Sequence, residues 1–260
     1  MNDDKKALNI PLYPLNTEFL TLAKKSIFSI STDELRPSLT GAFVEAKDGR
    51  ISITTTDGHR LTHASSPHPT RGFEPAFRRG VIVKKETIEQ LLKTFEEGDV
   101  LWVGVEGKMI VFTDCAVDGE IVTANMIGGN FPEYHNFLPV GGDPAVANRE
   151  ALLGALDPIL ELMSDSLNHD VEVTVFGDQI ELYAKHRYNG ETKKNVPCQY
   201  RGEPVKNRFD SQYMSDALNA FDETDICLTV NEKKEPSEFS APGSKITHIL
   251  MPLSPESYQW

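Results

Sequence analysis

The stretch "GAFVEAKDGRISITTTDGHRLTHA", residues 41–64, decides the fold. β-branched and apolar residues run on both sides of Asp48-Gly49, a dipeptide that favours a tight turn because glycine accepts positive φ. The reading is a β-hairpin whose second strand ends at Thr56, a further turn at Asp57-Gly58, and another strand through "HRLTHA". That second turn packs a carboxylate, an imidazole and a guanidinium into four residues, Asp57-Gly58-His59-Arg60. It is either a reactive cluster or a rigid turn that presents a surface. In the second case Asp57 bonds to turn amides, Arg60 braces a carbonyl or carboxylate, and Leu61 offers an apolar side chain beside a fixed edge.

Upstream, residues 16–30 read as a helix capped by Asn16 or Thr17, with Leu20, Ala23, Lys24 and Ile27 at helical spacing. Downstream, 65–79 reads as a loop or irregular crossover and 80–83 as a short strand. Residues 84–98 form a helix with the stripe Ile88, Leu91, Leu92 and Phe95, stopped by Gly98. A hairpin around Glu106-Gly107 (100–115) and a strand at 119–127 follow. The connector 128–144, with four glycines and three prolines, is the boundary candidate. The second half repeats the order. A helix at 148–165 contains Pro158, expected to kink or divide it. A hairpin at 171–186 turns at Gly177-Asp178, and the segment ending in "KKNVPCQYRG" crosses to a helix at 209–223. That helix has the stripe Tyr213, Met214, Ala217, Leu218 and Phe221, and strands at 225–232 and 244–253 close the chain. Helix, hairpin, crossover, helix, strands therefore occurs twice. The expected class is α+β: two similar domains, residues 1–135 and 136–260, each with two helices on one face of an antiparallel sheet.

The 260 residues are 39% hydrophobic with a formal charge of −13, which fits a globular chain and disfavours indiscriminate nucleic-acid binding without excluding a local basic surface. The N-terminus shows no signal-peptide pattern, and no run approaches the ~20 apolar residues of a membrane span. Cys115, Cys198 and Cys227 are odd in number and widely spaced, so they read as small buried residues of a protein in a reducing cytoplasm. Chemistry is hard to find. His59 and His63 lie four apart in a β pattern, about 13 Å along the strand, too far to share an ion. No nucleophile elbow, P-loop or dinucleotide fingerprint occurs. No enzyme, metal or cofactor is expected.

"LTGAFVEAKDGRISITTTDGHRLTHAS" (39–65), "NFPEYHNFLPV" (130–140), "FDSQYMSDALNAF" (209–221) and "ILMPLSP" (249–255) together resemble the bacterial DNA polymerase III beta subunit, the replicative sliding clamp. The resemblance runs from about Leu12 and takes in the family's middle and C-terminal domains, without its first domain. It implies a DNA-clamp fold and a processivity factor that encircles duplex DNA without reading its sequence. It also implies partners, a DNA polymerase and a clamp loader, that dock through short apolar peptide motifs. Family members close as a head-to-tail dimer of three-domain chains, so a two-domain chain is expected to make a six-domain ring as a homotrimer. The alternative is a non-encircling module that recruits or competes for replication proteins.

By the same resemblance the peptide pocket comprises Leu39, Thr56, Gly58, His59, Arg60, Leu61, Val140, Met251, Pro252 and Leu253. The family's pocket tyrosine is Ser38 here and its common arginine near the end is Ser254; a tail with Tyr258 and Trp260 extends past the usual ending. The resemblance also points Lys24, Lys25, Lys84, Lys85, Lys93 and Arg149 toward DNA. Residues 209–225 have no lysine or arginine and are rich in aspartate, which opposes phosphate attraction.

Overall fold

The computed structural model describes residues 10–114, 119–166, 169–232 and 234–253. Cys115, Ser254, Tyr258 and Trp260 lie outside the described residues. The chain forms two compact units. Unit 1 takes residues 1–55 and 64–131, and unit 2 takes 56–63 and 132–260.

Unit 1 is built from β1 (Tyr13–Pro14), α1 (Phe19–Ser26), β2 (Gly41–Lys47), β3 (Arg50–Thr56), β4 (Arg60–Pro67), α2 (Pro75–Arg79), β5 (Val81–Lys84), α3 (Lys85–Thr94), β6 (Trp102–Glu106), β7 (Met109–Thr113) and β8 (Ile121–Asn125). The division between units falls after Thr55 and again after His63, so Thr56 and the first four residues of β4 belong to unit 2. The strands follow the orders β5-β2-β3-β4 and β1-β6-β7-β8. Asp48 (φ 51°) and Gly49 (φ 75°) make the expected tight turn, with Lys47 paired to Arg50. Phe19, Leu20, Leu22 and Ala23 of α1 are buried with Ile88 and Leu91 of α3 and Val103, Ile110 and Phe112 of the second sheet. The Phe19 and Phe112 rings stack at 6.1 Å.

Several expectations are corrected here. The N-cap of α1 is Glu18, with no side-chain cap bond. Asn16 instead turns away to Ser66 Oγ and Pro67 O. The segment 65–79 is not all loop. β4 runs on to Pro67, and α2 begins at Pro75 with Glu74 accepting from the Ala76 amide at 3.2 Å, the N-terminal proline-and-acceptor arrangement. Unit 1 therefore has a third, short helix. α3 stops at Thr94 because Phe95 turns extended (φ −119°, ψ 151°) and buries its ring; Gly98 lies in the turn beyond.

Unit 2 contains β9 (Ala145–Asn148), α4 (Arg149–Met163), β10 (Asp170–Phe176), β11 (Gln179–His186), β12 (Gly190–Gln199), β13 (Val205–Asp210), α5 (Ser211–Asn219), β14 (Asp225–Thr229), β15 (Ser237–Ser240) and β16 (Ile246–Leu250). Its strand order is β13-β10-β11-β12-β9-β14-β15-β16, with the opening residues of β4 next to β16. Strand for strand this repeats unit 1: β13-β10-β11-β12 matches β5-β2-β3-β4, and β9-β14-β15-β16 matches β1-β6-β7-β8. Asn148 caps α4 by accepting from Ala151 N at 3.0 Å.

α4 runs unbroken through Pro158. An interior proline costs about 3 kcal/mol. Leu152, Leu156 and Ile159 are fully buried and Met163 nearly so, and each such side chain contributes about 1.5–3 kcal/mol. The stripe outweighs the proline. β12 and β13 were not anticipated. Within β12 only Val196 is buried, so the strand lacks the alternation by which strands are recognised. It is held by its ladder to β11, from His186↔Gly190 to Gln179↔Pro197.

Candidate functional site

The turn that closes the β3–β4 hairpin is fixed by its own polar atoms. Asp57 Oδ1 accepts from the amides of His59 (2.9 Å) and Arg60 (3.0 Å). Gly58 takes φ 95°, which disfavours any side chain there. Its amide donates to Thr56 Oγ1 at 3.0 Å, and that hydroxyl donates to Arg60 O at 2.6 Å.

Arg60 then anchors the turn within unit 2. Its Nε donates to Asp57 Oδ2 at 3.0 Å and its Nη1 to Asp216 Oδ2 on α5 at 2.6 Å. Its guanidinium carbon lies 4.1 Å from the centre of the Tyr213 ring, a cation–π arrangement. Gln212 Nε2 holds the other Asp216 oxygen at 2.8 Å. The Arg60 side chain is only 12% exposed, against 15% for Asp57 and 27% for Asp216. Charge-assisted bonds shielded this well are strong, and a lone charge left behind would be costly. The Tyr213 phenol is pushed above its ordinary range, first by burial and then by the Asp57 charge, with Arg60 opposing. It stays protonated at neutral pH.

The chain's closing segment lies along the same turn. Met251 N donates to His59 O at 2.9 Å, and Leu253 N to Arg208 O of β13 at 2.9 Å. Behind them Thr62 Oγ1 meets His248 Nδ1 at 2.9 Å, and the His248 ring packs edge-on to Phe221 at 5.0 Å. Leu61 is 7% exposed, while Met251, Pro252 and Leu253 are half-buried. His59 and Gly58 are exposed. Val140 is also in unit 2, its amide held by Glu238 Oε2 at 3.1 Å. Nine of the ten pocket residues inferred from sequence therefore belong to unit 2. Leu39 belongs to unit 1, 6% exposed in a single 3₁₀ turn, Pro37–Leu39.

The arrangement offers a rigid loop, a hydrogen-bonded backbone edge and an apolar row. Among the described residues no group of three or more His, Cys, Asp or Glu could hold a metal ion. His63 stacks on Tyr134 at 5.4 Å. Among the described residues no helix is long and apolar enough to cross a membrane. Sequence reading did not identify Asp216, Gln212, Tyr213 or Glu238 as site-forming. Asp216 stands 156 positions from Arg60, and its only sequence signal is an acid on a helix that has no bases.

The six inferred DNA-facing cations sit on or beside three helices. Lys24 and Lys25 are in the last turn of α1, and Lys24 pairs with Glu97 at 2.6 Å. Lys84 caps α3, while Lys85 and Lys93 are in its first and last turns. Lys84 and Lys85 line a polar groove of about 700 Å³ together with Glu34, Glu86 and Glu89. Arg149 opens α4 and pairs with Glu150 at 2.5 Å. α5 has no base; its Asp216 is held by Arg60, and its cap Asp210 accepts from the amides of Gln212 and Tyr213.

Comparison with known proteins covers both units. Residues 15–133 match the DNA polymerase III beta subunit central domain, and residues 140–254 match its C-terminal domain. Beta sliding clamps of Synechococcus elongatus (25% identity over 237 residues, 88% of this chain) and Caulobacter vibrioides (25% over 252 residues, 91% of this chain) are curated relatives. The chain spans 61% and 63% of their lengths. Among solved structures, the sliding clamp of Pseudomonas aeruginosa superposes with a TM-score of 0.85 at 20% identity, covering 97% of this chain and 70% of that one. The beta sliding clamp of C. crescentus gives 0.83 at 25%, covering 95% and 67%. With two successive domain matches of one subunit, in that subunit's order, the chain belongs to the DNA polymerase III beta subunit family of sliding clamps.

Proposed function

We propose that the protein is a sliding clamp, a processivity factor whose copies close around duplex DNA and tether a DNA polymerase through a peptide pocket. The observation that carries this reading is the commitment of Arg60. With its guanidinium shared between Asp57 and Asp216 and stacked on Tyr213, the turn has no spare base or nucleophile to offer. What it presents is a fixed backbone edge and the apolar side chains Leu61, Met251, Pro252 and Leu253. Such a surface suits a short apolar peptide anchor from a polymerase or clamp loader. Thr56, Gly58, His59, Arg60 and Val140 complete the pocket in unit 2, and Leu39 is its contribution from the first domain. The two domains are residues 1–135 and 136–260.

No bond-making step belongs to the protein. Its mechanism is topological: a closed ring cannot leave DNA sideways, while attraction between phosphates and Lys24, Lys25, Lys84, Lys85, Lys93 and Arg149 is diffuse enough to permit sliding. Three two-domain chains supply the six domains of a ring, since head-to-tail contacts close when the rotation per copy divides a full turn.

A second reading, a non-encircling module that binds the same peptides, is favoured by the acids of α4 and α5. α4 carries Glu150, Asp157 and Glu161 against Arg149, and α5 carries Asp216 with no base. Both readings share the pocket. Leu61→Asp places a charge on the apolar row and is expected to weaken a polymerase-derived docking peptide at least tenfold in calorimetric titration, with molecular mass unchanged. Equal affinity for the variant and the unaltered chain rejects this pocket.

A further inference from the structure

The duplicated topology identifies two strand edges that are built to receive one another. β8 occupies in unit 1 the place that β16 occupies in unit 2, and β12 occupies in unit 2 the place of β4. Within unit 2, β16 lies against the opening residues of β4, and Met251 N bonds to His59 O at that junction. The equivalent partners of β8 and of the first part of β12 do not occur among the described residues. β8 ends its sheet, and β12 meets β9 only at Cys198 and Gln199.

The bonding phase shows which backbone groups point outward. Met126 N donates to Lys108 O, so by alternation Val122 and Ala124 face β7, while Ile121, Thr123 and Asn125 turn their peptide groups away. Cys198 N donates to Asp178 O, so Glu191, Lys193 and Asn195 turn theirs away from β11. Rows of this kind are templates for another strand. Ile121 (39%) and Tyr188 (80%) are exposed large apolar side chains, one on or beside each edge. Their charges are complementary. The hairpin of β11 and β12 carries Lys185, Arg187, Lys193 and Lys194 against Glu191, with Lys193 also reaching its own Glu181 at 3.0 Å. Glu120 precedes β8, and α3, which packs on β8, exposes Glu86.

We infer that β8 of one copy pairs with residues 190–195 of β12 in a second copy of this chain, and that this head-to-tail contact is the one that closes the assembly. The inference deepens the clamp reading and rests on it. The contact is heterologous, so each copy has one donor edge and one acceptor edge.

Thr123→Pro and Lys193→Pro each remove one outward-facing amide and leave the ladder inside the chain intact. Light scattering across concentration reads the assembly, and binding of a docking peptide reports that each variant is folded. The unaltered chain is expected at three times the chain mass and each variant at one. An equimolar mixture of the two variants is expected to stop at twice the chain mass, because only one intact pair of edges remains. Variants that assemble like the unaltered chain, or a mixture that stays at one chain mass, overturn the strand assignment and leave the clamp reading standing. An unaltered chain that stays at one mass at every concentration and slides off end-blocked duplex overturns both. Assembly that appears only when duplex DNA is added, and is lost in neither variant, assigns the basic hairpin to phosphate binding and overturns the inference.

Discussion

Unit 2 joins its two four-stranded sheets through a backbone ladder in which β9 pairs with β12, Ala147 opposite Cys198 and Val146 opposite Gln199. At the matching place in unit 1, just after β1 and at the end of β4, the tie is one side chain. Asn16 donates to Ser66 Oγ and Pro67 O. A second difference accompanies the first. Gly104 of β6 lies under the chain at Ile10–Leu12, and a Cβ there would sit 2.6 Å from Pro11 O. The corresponding strand of unit 2, β14, carries Cys227 near its centre. The same strand order is thus closed by backbone in one unit and by side-chain bonding plus close chain approach in the other. Topology is shared, and the means of closure is local.

Substitutions can break that contrast. The largest expected effect is at the turn. Arg60→Ala strands Asp57 and Asp216 without their shared cation and should cost about 3 kcal/mol, the scale for breaking a shielded ion pair. Urea denaturation would read the loss, and docking-peptide affinity should fall with it. Next comes Gly104→Ala. The added methyl has to displace backbone, so a cost of about 1–3 kcal/mol is expected. Cys227→Ala, in the unit without that crossing, should cost less than about 1 kcal/mol, because Cys227 is only half-buried. Equal costs for the two would show that the crossing over Gly104 is not what separates the units. The smallest effect belongs to Asn16→Ala. It removes two hydrogen bonds but also a buried acceptor, Oδ1, that has no bonding partner among the described residues. About 1 kcal/mol is expected, seen as faster amide exchange at the end of β4.

Much of this was legible in the sequence because it is written in local signals. Asp48-Gly49 set the register of β2 and β3, the stripe of α3 marked its buried face, and Asp57-Gly58 marked the turn. The repeat of element order could be read although the two units differ in closure. What escaped was non-local. β12 is a strand because β11 is beside it, not because its own residues alternate. Asn16 has the chemistry of a helix cap, and a partner fifty residues away takes it instead. The role of Asp216 is set by Arg60, 156 positions earlier. The short helix α2 had a proline and an acid at its start, but too few residues for a stripe.

Charge separates the units as well. Unit 1 has 17 acidic and 14 basic residues, whereas unit 2 has 22 and 12. The helices of unit 1 carry most of the cations assigned to DNA, and those of unit 2 carry an excess of acids. A ring holds DNA by topology and tolerates this imbalance; a surface that binds by charge alone does not.

That difference is open to direct measurement. The protein is loaded onto a duplex tethered at one end, the free end is then blocked, and retention is followed through a wash at high salt. The account predicts that the protein stays until the duplex is cut and is then released. Loss during the wash despite both ends being closed, or retention unaffected by cutting, contradicts encirclement.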